Sequence, residues 1–154
     1  MAALDEFEGK WMRHSPVGRK LASLNVPPMT YGTRWYLTLF NYSIPFAAQL
    51  RIWDVLMLLG DPDAKQQHSI YTPKSDSGDD EYEFCGTLDI LHATSAAILD
   101  GMKGILLKAD FEDAMKSLTS FIPVKDEDML MKVVKVEWKR GRRKRRVAKV
   151  LGGG

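Results

Sequence analysis

Cysteine and histidine are scarce in this chain of 154 residues. Cys85 is the only cysteine, so no disulfide can form within the chain, and we expect an intracellular protein. The three histidines, His14, His68 and His92, are far apart in sequence and belong to no H-x-x-x-H or H-E-x-x-H pattern. Metal sites are usually built from more closely spaced ligands, so we predict no metal site.

Long apolar runs and nucleotide-binding motifs are also missing. The most apolar stretch, residues 34–60, is interrupted by Arg51 and Asp54, well short of the roughly 18 apolar residues that a membrane span needs. No signal peptide is evident. The patterns G-x-x-x-x-G-K-[ST], G-x-G-x-x-G and G-x-S-x-G do not occur. We therefore expect no cofactor, and on motifs alone the chain is not a self-sufficient enzyme.

Charge is unevenly distributed along the chain, although the net charge is only +2. Residues 1–131 hold 12 basic and 19 acidic residues, a balance of −7, whereas residues 132–154 hold 10 basic and 1 acidic residue, a balance of +9. Length and composition are those of one globular domain with a core of its own. The sequence thus describes a mildly acidic body followed by a strongly basic end.

Apolar residues recur with helical spacing along almost the whole chain, and no period-two run of β-branched residues competes. The spacing therefore predicts an all-α fold of about six packed helices. Pro16 and Pro45 suit first helical turns, while Asp110 and Asp126 suit N-caps. The predicted helices cover residues 16–24, 30–42, 45–60, 86–107, 110–122 and a last segment from 126 onward.

Three of these helices carry an apolar stripe at intervals of three and four residues. Such a stripe is expected to face the core. The stripes comprise Phe46, Leu50, Trp53 and Met57 in the third helix, Phe111, Met115, Leu118 and Ile122 in the fifth, and Leu130, Val134 and Trp138 in the last.

Arg51 and Asp54 lie one turn apart in the third helix, on a stripe that Leu58 continues. A charged group in an apolar setting is costly unless it is paired and hydrogen-bonded. Two interpretations remain open. Either the arginine and the aspartate clamp the fold as a pair, or they form the polar edge of a groove that receives a partner.

Residues 60–84 interrupt the helical pattern with seven acidic residues and two lysines. A link of this length is far longer than most helix–helix connections. We interpret it as a solvated acidic loop or as a regulatory insertion whose serines and threonines can be phosphorylated.

The segment RWYLTLFNYSIPFAAQLRIWDVLMLLG, residues 34–60, resembles part of the TBC domain, the all-helical GTPase-activating domain for Rab-type small GTPases. That family shows a W-[FY]-L-x-x-[FL] segment, a short x-[LI]-P link, and then R-I-W-D and a glycine. The matching residues are, in order, Trp35, Tyr36, Leu37, Phe40, Pro45, Arg51, Ile52, Trp53, Asp54 and Gly60.

This resemblance covers roughly residues 16–139 and is closest to the C-terminal half of the domain in fungal members. It implies a Rab-type small GTPase as the partner and a role in vesicle trafficking and intracellular protein transport. Within the motif, the resemblance implies a structural role for Trp35, Arg51, Trp53 and Asp54.

The two catalytic motifs of the family are missing. TBC activators act through an arginine in I-x-x-D-x-x-R, which stabilises charge on the γ-phosphate, and a glutamine in Y-x-Q, which positions the attacking water. Neither pattern occurs in this sequence, and Arg51 cannot be the catalytic arginine because it matches R-I-W-D. We therefore predict no catalytic residue in this chain.

The resemblance implies about half a domain, beginning at a methionine where the family is mid-domain. A truncated gene, an error in the gene model or a divergent short paralogue would each produce such a chain. The matched helices would then expose apolar surface where the other half packs in the family, which favours oligomerisation, a partner chain or low stability.

The basic tail, residues 140–154, includes Arg142, Arg143, Arg145 and Arg146. It is a solvated extension of the last helix, a nuclear localisation signal, a nucleic-acid arm, or a contact for anionic lipid at roughly 1 kcal/mol per basic residue. Aromatic residues are not interleaved with the basic ones, so nucleic acid is not the expected partner. We favour an anionic membrane surface over nuclear import, since Rab regulators work at membranes.

These observations lead to one main hypothesis and one alternative. The main hypothesis is a partial TBC domain over residues 1–139, with the acidic loop 60–84 inside it, followed by the basic tail. It is a Rab GTPase activator by descent, inactive in this form, cytoplasmic and peripheral to endomembranes or the plasma membrane. The alternative is a non-catalytic helical interaction module whose basic tail binds membrane or nucleic acid.

Overall fold

The computed structural model describes residues 2–59 and 86–152, and every regular element within these residues is a helix. The all-α prediction is therefore confirmed. The predicted acidic loop, residues 60–84, lies outside the described residues. In chain order the helices are α1 (Ala2–Glu6), a π-helical segment (Phe7–Met12), α2 (Pro16–Ser23), α3 (Pro28–Leu37), α4 (Phe46–Leu59), α5 (Gly86–Gly101), α6 (Lys103–Leu106), α7 (Phe111–Thr119) and α8 (Glu127–Gly152).

Local chemistry fixes several of the helix starts where the sequence predicts them. Asp110 caps α7, because its carboxylate accepts a 2.8 Å hydrogen bond from the backbone N–H of Asp113. Asp126 caps α8 in the same way, accepting from the backbone N–H of Met129 at 2.8 Å. Pro16 occupies the first turn of α2. Proline lacks a backbone N–H, and in the first turn of a helix that group would have no partner within the helix. These three predictions are confirmed.

Three predicted helices are shorter than their apolar spacing indicates, and one of them, predicted over residues 110–122, ends at Thr119 in α7. The helix predicted over residues 30–42 ends at Leu37 in α3, and the backbone then adopts positive φ at Leu39, Phe40 and Tyr42. These left-handed residues turn the chain towards α4. The helix predicted over residues 86–107 is divided into α5 and α6 by a break at Met102.

Helix α5 is the centre of the fold. All its residues from Asp89 to Leu99 are buried, so no face of this helix is left for solvent. Its neighbours are the π-helical segment, α3, α4, α6 and, along the greatest length, α8. A helix that is buried all round belongs to the interior of a domain, and these five neighbours surround α5.

The N-terminal segment is part of the core. Leu4, Phe7, Trp11 and Met12 are all buried, Trp11 against α8 and Met12 against α2. Glycine at position 18 of α2 and at position 141 of α8 allows this close approach. A Cβ atom at Gly141 would lie 2.5 Å from the Trp11 ring, closer than real Cβ contacts come.

The apolar stripe predicted for the third helix is on the wrong side of it. Phe46 and Met57 are 67% and 76% exposed, and the residues of α4 that face the core are Ala48, Ile52 and Leu56. The helix is apolar on nearly every side, so spacing alone does not determine which side is buried. Phe111 is also exposed at the start of α7, whereas the predicted inward positions of α8, Leu130 and Val134, are buried.

Candidate functional site

Trp35 is the centre of the aromatic part of the candidate motif. It is 1% exposed, and its ring packs edge to face with Tyr31, with ring centroids 5.1 Å apart. The ring centroid of Phe40 lies 6.0 Å away. Its backbone carbonyl also accepts a 2.8 Å hydrogen bond from the N–H of Phe40. Trp35 is therefore a core residue that holds the end of α3 against the turn that follows.

Trp53 holds the same turn from the other side. Its indole Nε1–H donates a 2.9 Å hydrogen bond to the backbone carbonyl of Leu39, the first residue of positive φ after α3. A left-handed leucine is strained, so an anchored carbonyl at this position helps to keep the turn in place. Trp53 thus joins α4 to the connection that precedes it.

Arg34 is a third support of this connection, and the sequence analysis does not identify it. Its guanidinium donates to the backbone carbonyl of Tyr42 at 3.2 Å and to that of Thr119, at the end of α7, at 2.9 Å. A further backbone bond of 2.8 Å runs from the N–H of Ile122 to the carbonyl of Ser43. In the sequence, Arg34 is distinguished only by its position directly before Trp35, the first tryptophan of the motif.

Arg51 does not pair with Asp54, and the predicted clamp between them is wrong. The Arg51 guanidinium donates instead to the carboxylate of Asp128, in the first turn of α8, at 2.8 Å. Both side chains of this pair are more than half exposed, so the interaction contributes only about 0–1 kcal/mol. Asp54 is also exposed, on the outer side of α4.

A buried polar contact joins α3 to α5 beside the N-terminal segment. The Tyr36 hydroxyl is 2.6 Å from Nδ1 of His92. The His92 ring is stacked on Phe7, with ring centroids 5.8 Å apart, and its centroid lies 5.9 Å from that of Trp11. Burial raises the pKa of the Tyr36 phenol well above its ordinary value, so the hydroxyl stays protonated at neutral pH. The contact satisfies polar groups inside the core, and the sequence analysis does not predict it.

The basic run lies on the C-terminal part of α8, which continues as one helix from Glu127 to Gly152. Arg143 is exposed, and for Arg142, Arg145 and Arg146 the structure describes the backbone alone. Positions 145 and 146 follow position 142 by three and four residues, about one helical turn. The helix shows no break at residue 139, and the division into a domain and a tail stays a prediction.

Other kinds of site find no support in the described part of the chain. Its acidic, histidine and cysteine side chains form no group of three or more that could hold a metal ion. None of its helices is both long and apolar enough to cross a bilayer. Of the motif residues, Trp35 and Trp53 support the connection between α3 and α4.

Comparison with known proteins relates this helical core and its tryptophan and arginine motif to the TBC domain. Residues 12–71 match the Rab-GTPase-TBC domain family. The chain is also 37% identical over 123 residues to the TBC domain-containing protein C1778.09 of Schizosaccharomyces pombe. The match covers 80% of this chain. Residues 12–71 thus resemble the Rab-GTPase-TBC domain, and the predicted resemblance is confirmed.

The aligned region is a small part of the fission yeast protein. It corresponds to 25% of that protein's length, so this chain spans about a quarter of the curated relative that it matches. The activity of a whole TBC protein is therefore a matter for proposal here.

Proposed function

We propose that this chain is the supporting part of a Rab GTPase-activating TBC domain and does not itself accelerate GTP hydrolysis. The observation that carries this proposal is that residues of the motif make their contacts within the chain itself. Trp35 is buried, and Trp53 and Arg51 make hydrogen bonds within the chain. A catalytic arginine must instead reach the γ-phosphate of a bound GTPase. The sequence also contains neither I-x-x-D-x-x-R nor Y-x-Q.

The proposal predicts that the purified chain leaves the hydrolysis rate of Rab-type GTPases unchanged. A trans-acting arginine contributes roughly 10³–10⁵ to this rate, so its absence is easily measured. Single-turnover hydrolysis should be followed for a panel of GTP-loaded Rab-type GTPases with and without the 154-residue chain. A TBC protein that carries both catalytic motifs serves as the positive control. Acceleration of about tenfold or more by this chain would overturn the proposal.

The alternative function, contact with an anionic membrane surface, is supported by the continuous helix beneath the basic run. In such a role the chain would be cytoplasmic and peripheral to a membrane, with Arg142, Arg143, Arg145 and Arg146 as the lipid contacts. A helical backbone presents basic residues at fixed spacing, which suits a charged surface better than a disordered tail of the same composition.

Vesicle sedimentation tests this contact. Changing the four arginines to alanine should weaken binding to vesicles containing phosphatidylserine at least tenfold at low salt, since each basic residue contributes roughly 1 kcal/mol. The matched control changes four exposed basic residues elsewhere, Arg13, Arg19, Lys103 and Lys108, and removes the same charge. Equal losses in the two variants would show a general charge effect, and unchanged binding of the first variant would remove the lipid contact.

A further inference from the structure

The outer face of α4 is apolar, exposed and marked by two opposite charges. Ala47, Arg51, Asp54 and Leu58 occur at intervals of four, three and four residues, so they form one row along the helix. All four are exposed, Leu58 at 77%. Next to this row lie the exposed side chains of three further apolar residues, Phe46, Leu50 and Met57.

This face is unusual for a helix on the surface of a soluble domain. Surface helices normally turn polar residues outward, whereas α4 has an apolar side towards the core and another towards solvent. Contiguous exposed apolar patches larger than a few hundred Å² generally mark a site of interaction. The question is which partner fits a face with Asp54 in the middle of its apolar residues.

The order of residues in the row is self-complementary. If a second α4 runs antiparallel to the first, with the two-fold axis between positions 52 and 53, residue numbers of facing positions sum to 105. Arg51 then faces Asp54 of the second copy, and Ala47 faces Leu58 of the second copy. The symmetry repeats each contact, so two charge pairs and two pairs of small against large side chains form at once.

We propose that the chain forms a homodimer through an antiparallel pairing of the outer faces of α4. The charges decide between possible partners, because a purely apolar partner would remove Asp54 from water without a counter-ion, which is strongly unfavourable. A second copy supplies that counter-ion from Arg51. Arginine has five N–H donors, so it can bind Asp54 of the second copy and still keep its contact with Asp128.

The outer face of α4 also offers large apolar side chains to an interface. A standard specific interface takes roughly 800 Å² from each partner, and a large aromatic side chain buries roughly 150–250 Å². Leu39, in the connection before α4, is exposed beside Trp53, to which its backbone carbonyl is bonded. The exposed apolar residues of α4, one of them aromatic, contribute towards an interface of that size.

Two variants of opposite charge test the pairing. In Arg51→Asp the row carries two acids, and in Asp54→Arg it carries two arginines, so each variant should repel its own copy. We expect the wild-type chain to sediment as a dimer across the micromolar range, and each variant alone to have a dimer dissociation constant at least tenfold higher. Mixed in equal amounts, the two variants should form a heterodimer, because every facing pair is then of opposite charge.

A control variant separates this dimer contact from the contact with α8. Asp128→Ala removes the acceptor of the Arg51 hydrogen bond within the chain but leaves the row on α4 intact, so it should remain dimeric. Circular dichroism should show that all the variants keep the helical content of the wild type, since the changed residues are exposed. A monomeric wild type, dimers unaffected by either charge change, or no association in the mixture would each overturn the proposal.

Discussion

Replacing Trp35 with alanine is expected to lower the free energy of unfolding by about 3–5 kcal/mol, the usual cost of removing a buried tryptophan or phenylalanine. Trp35 is almost fully buried, and its ring contacts both Tyr31 and Phe40. Its removal leaves a cavity beside the turn after α3. Domains of this kind have roughly 5–15 kcal/mol of stability in total, so this one change takes a large share.

Leu37→Ala provides the matched control for this prediction. Leu37 is in the same helix and the same motif, but it is 73% exposed, so its truncation should change the free energy of unfolding by less than about 0.5 kcal/mol. Urea unfolding with linear extrapolation measures both variants. If Trp35→Ala costs no more than Leu37→Ala, the tryptophan of the motif is not a core residue. Its role would then have to be sought in contact with a partner.

Gly18→Ala and Gly104→Ala are expected to change stability in opposite directions. Glycine is about 1 kcal/mol less favourable than alanine inside a helix, so propensity alone predicts that both changes stabilise. At Gly18 in α2, however, the new Cβ atom would collide with the backbone carbonyl of Met12, which cannot move without displacing the N-terminal segment. At Gly104 in α6 nothing lies within 4 Å of the new atom.

The expected magnitudes follow from these surroundings. Overpacking typically costs about 1–3 kcal/mol, so Gly18→Ala should lower the free energy of unfolding by that amount, while Gly104→Ala should raise it by up to about 1 kcal/mol. In a chain of this length 1 kcal/mol corresponds to a shift of roughly 2–4 °C in the melting temperature. Scanning calorimetry of the wild type and the two variants measures the shift in melting temperature that each change causes. Equal shifts of the same sign would contradict the close packing of the N-terminal segment on α2.

Features set by neighbouring residues could be predicted from the sequence. Asp110 and Asp126 cap their helices with bonds to residues three positions on, so the sequence around them contains both partners. The all-α fold follows from periodicity in the same local way. The TBC family was predicted from a motif of contiguous residues, and the comparison with the fission yeast protein bears it out.

Features that depend on distant residues could not be predicted in this way. The partner of Arg51 is Asp128, 77 positions away, so no local pattern distinguishes it from Asp54. The buried side of α4 is also set from outside, by α5 and α8, because the helix itself is apolar on nearly every side. The early end of α3 depends on left-handed leucine and phenylalanine residues, which apolar spacing does not reveal.

The contact between Trp11 and Gly141 constrains the order in which this chain can fold. The two residues are 130 positions apart, and the indole ring occupies the space beside the glycine that closes the core at α8. During synthesis the N-terminal segment leaves the ribosome about 130 residues before its site on α8. Contacts between such distant positions require a large loop to close before they stabilise anything, which slows folding. Until α8 has been synthesised, the aromatic residues of the N-terminal segment therefore lack part of the surface that buries them.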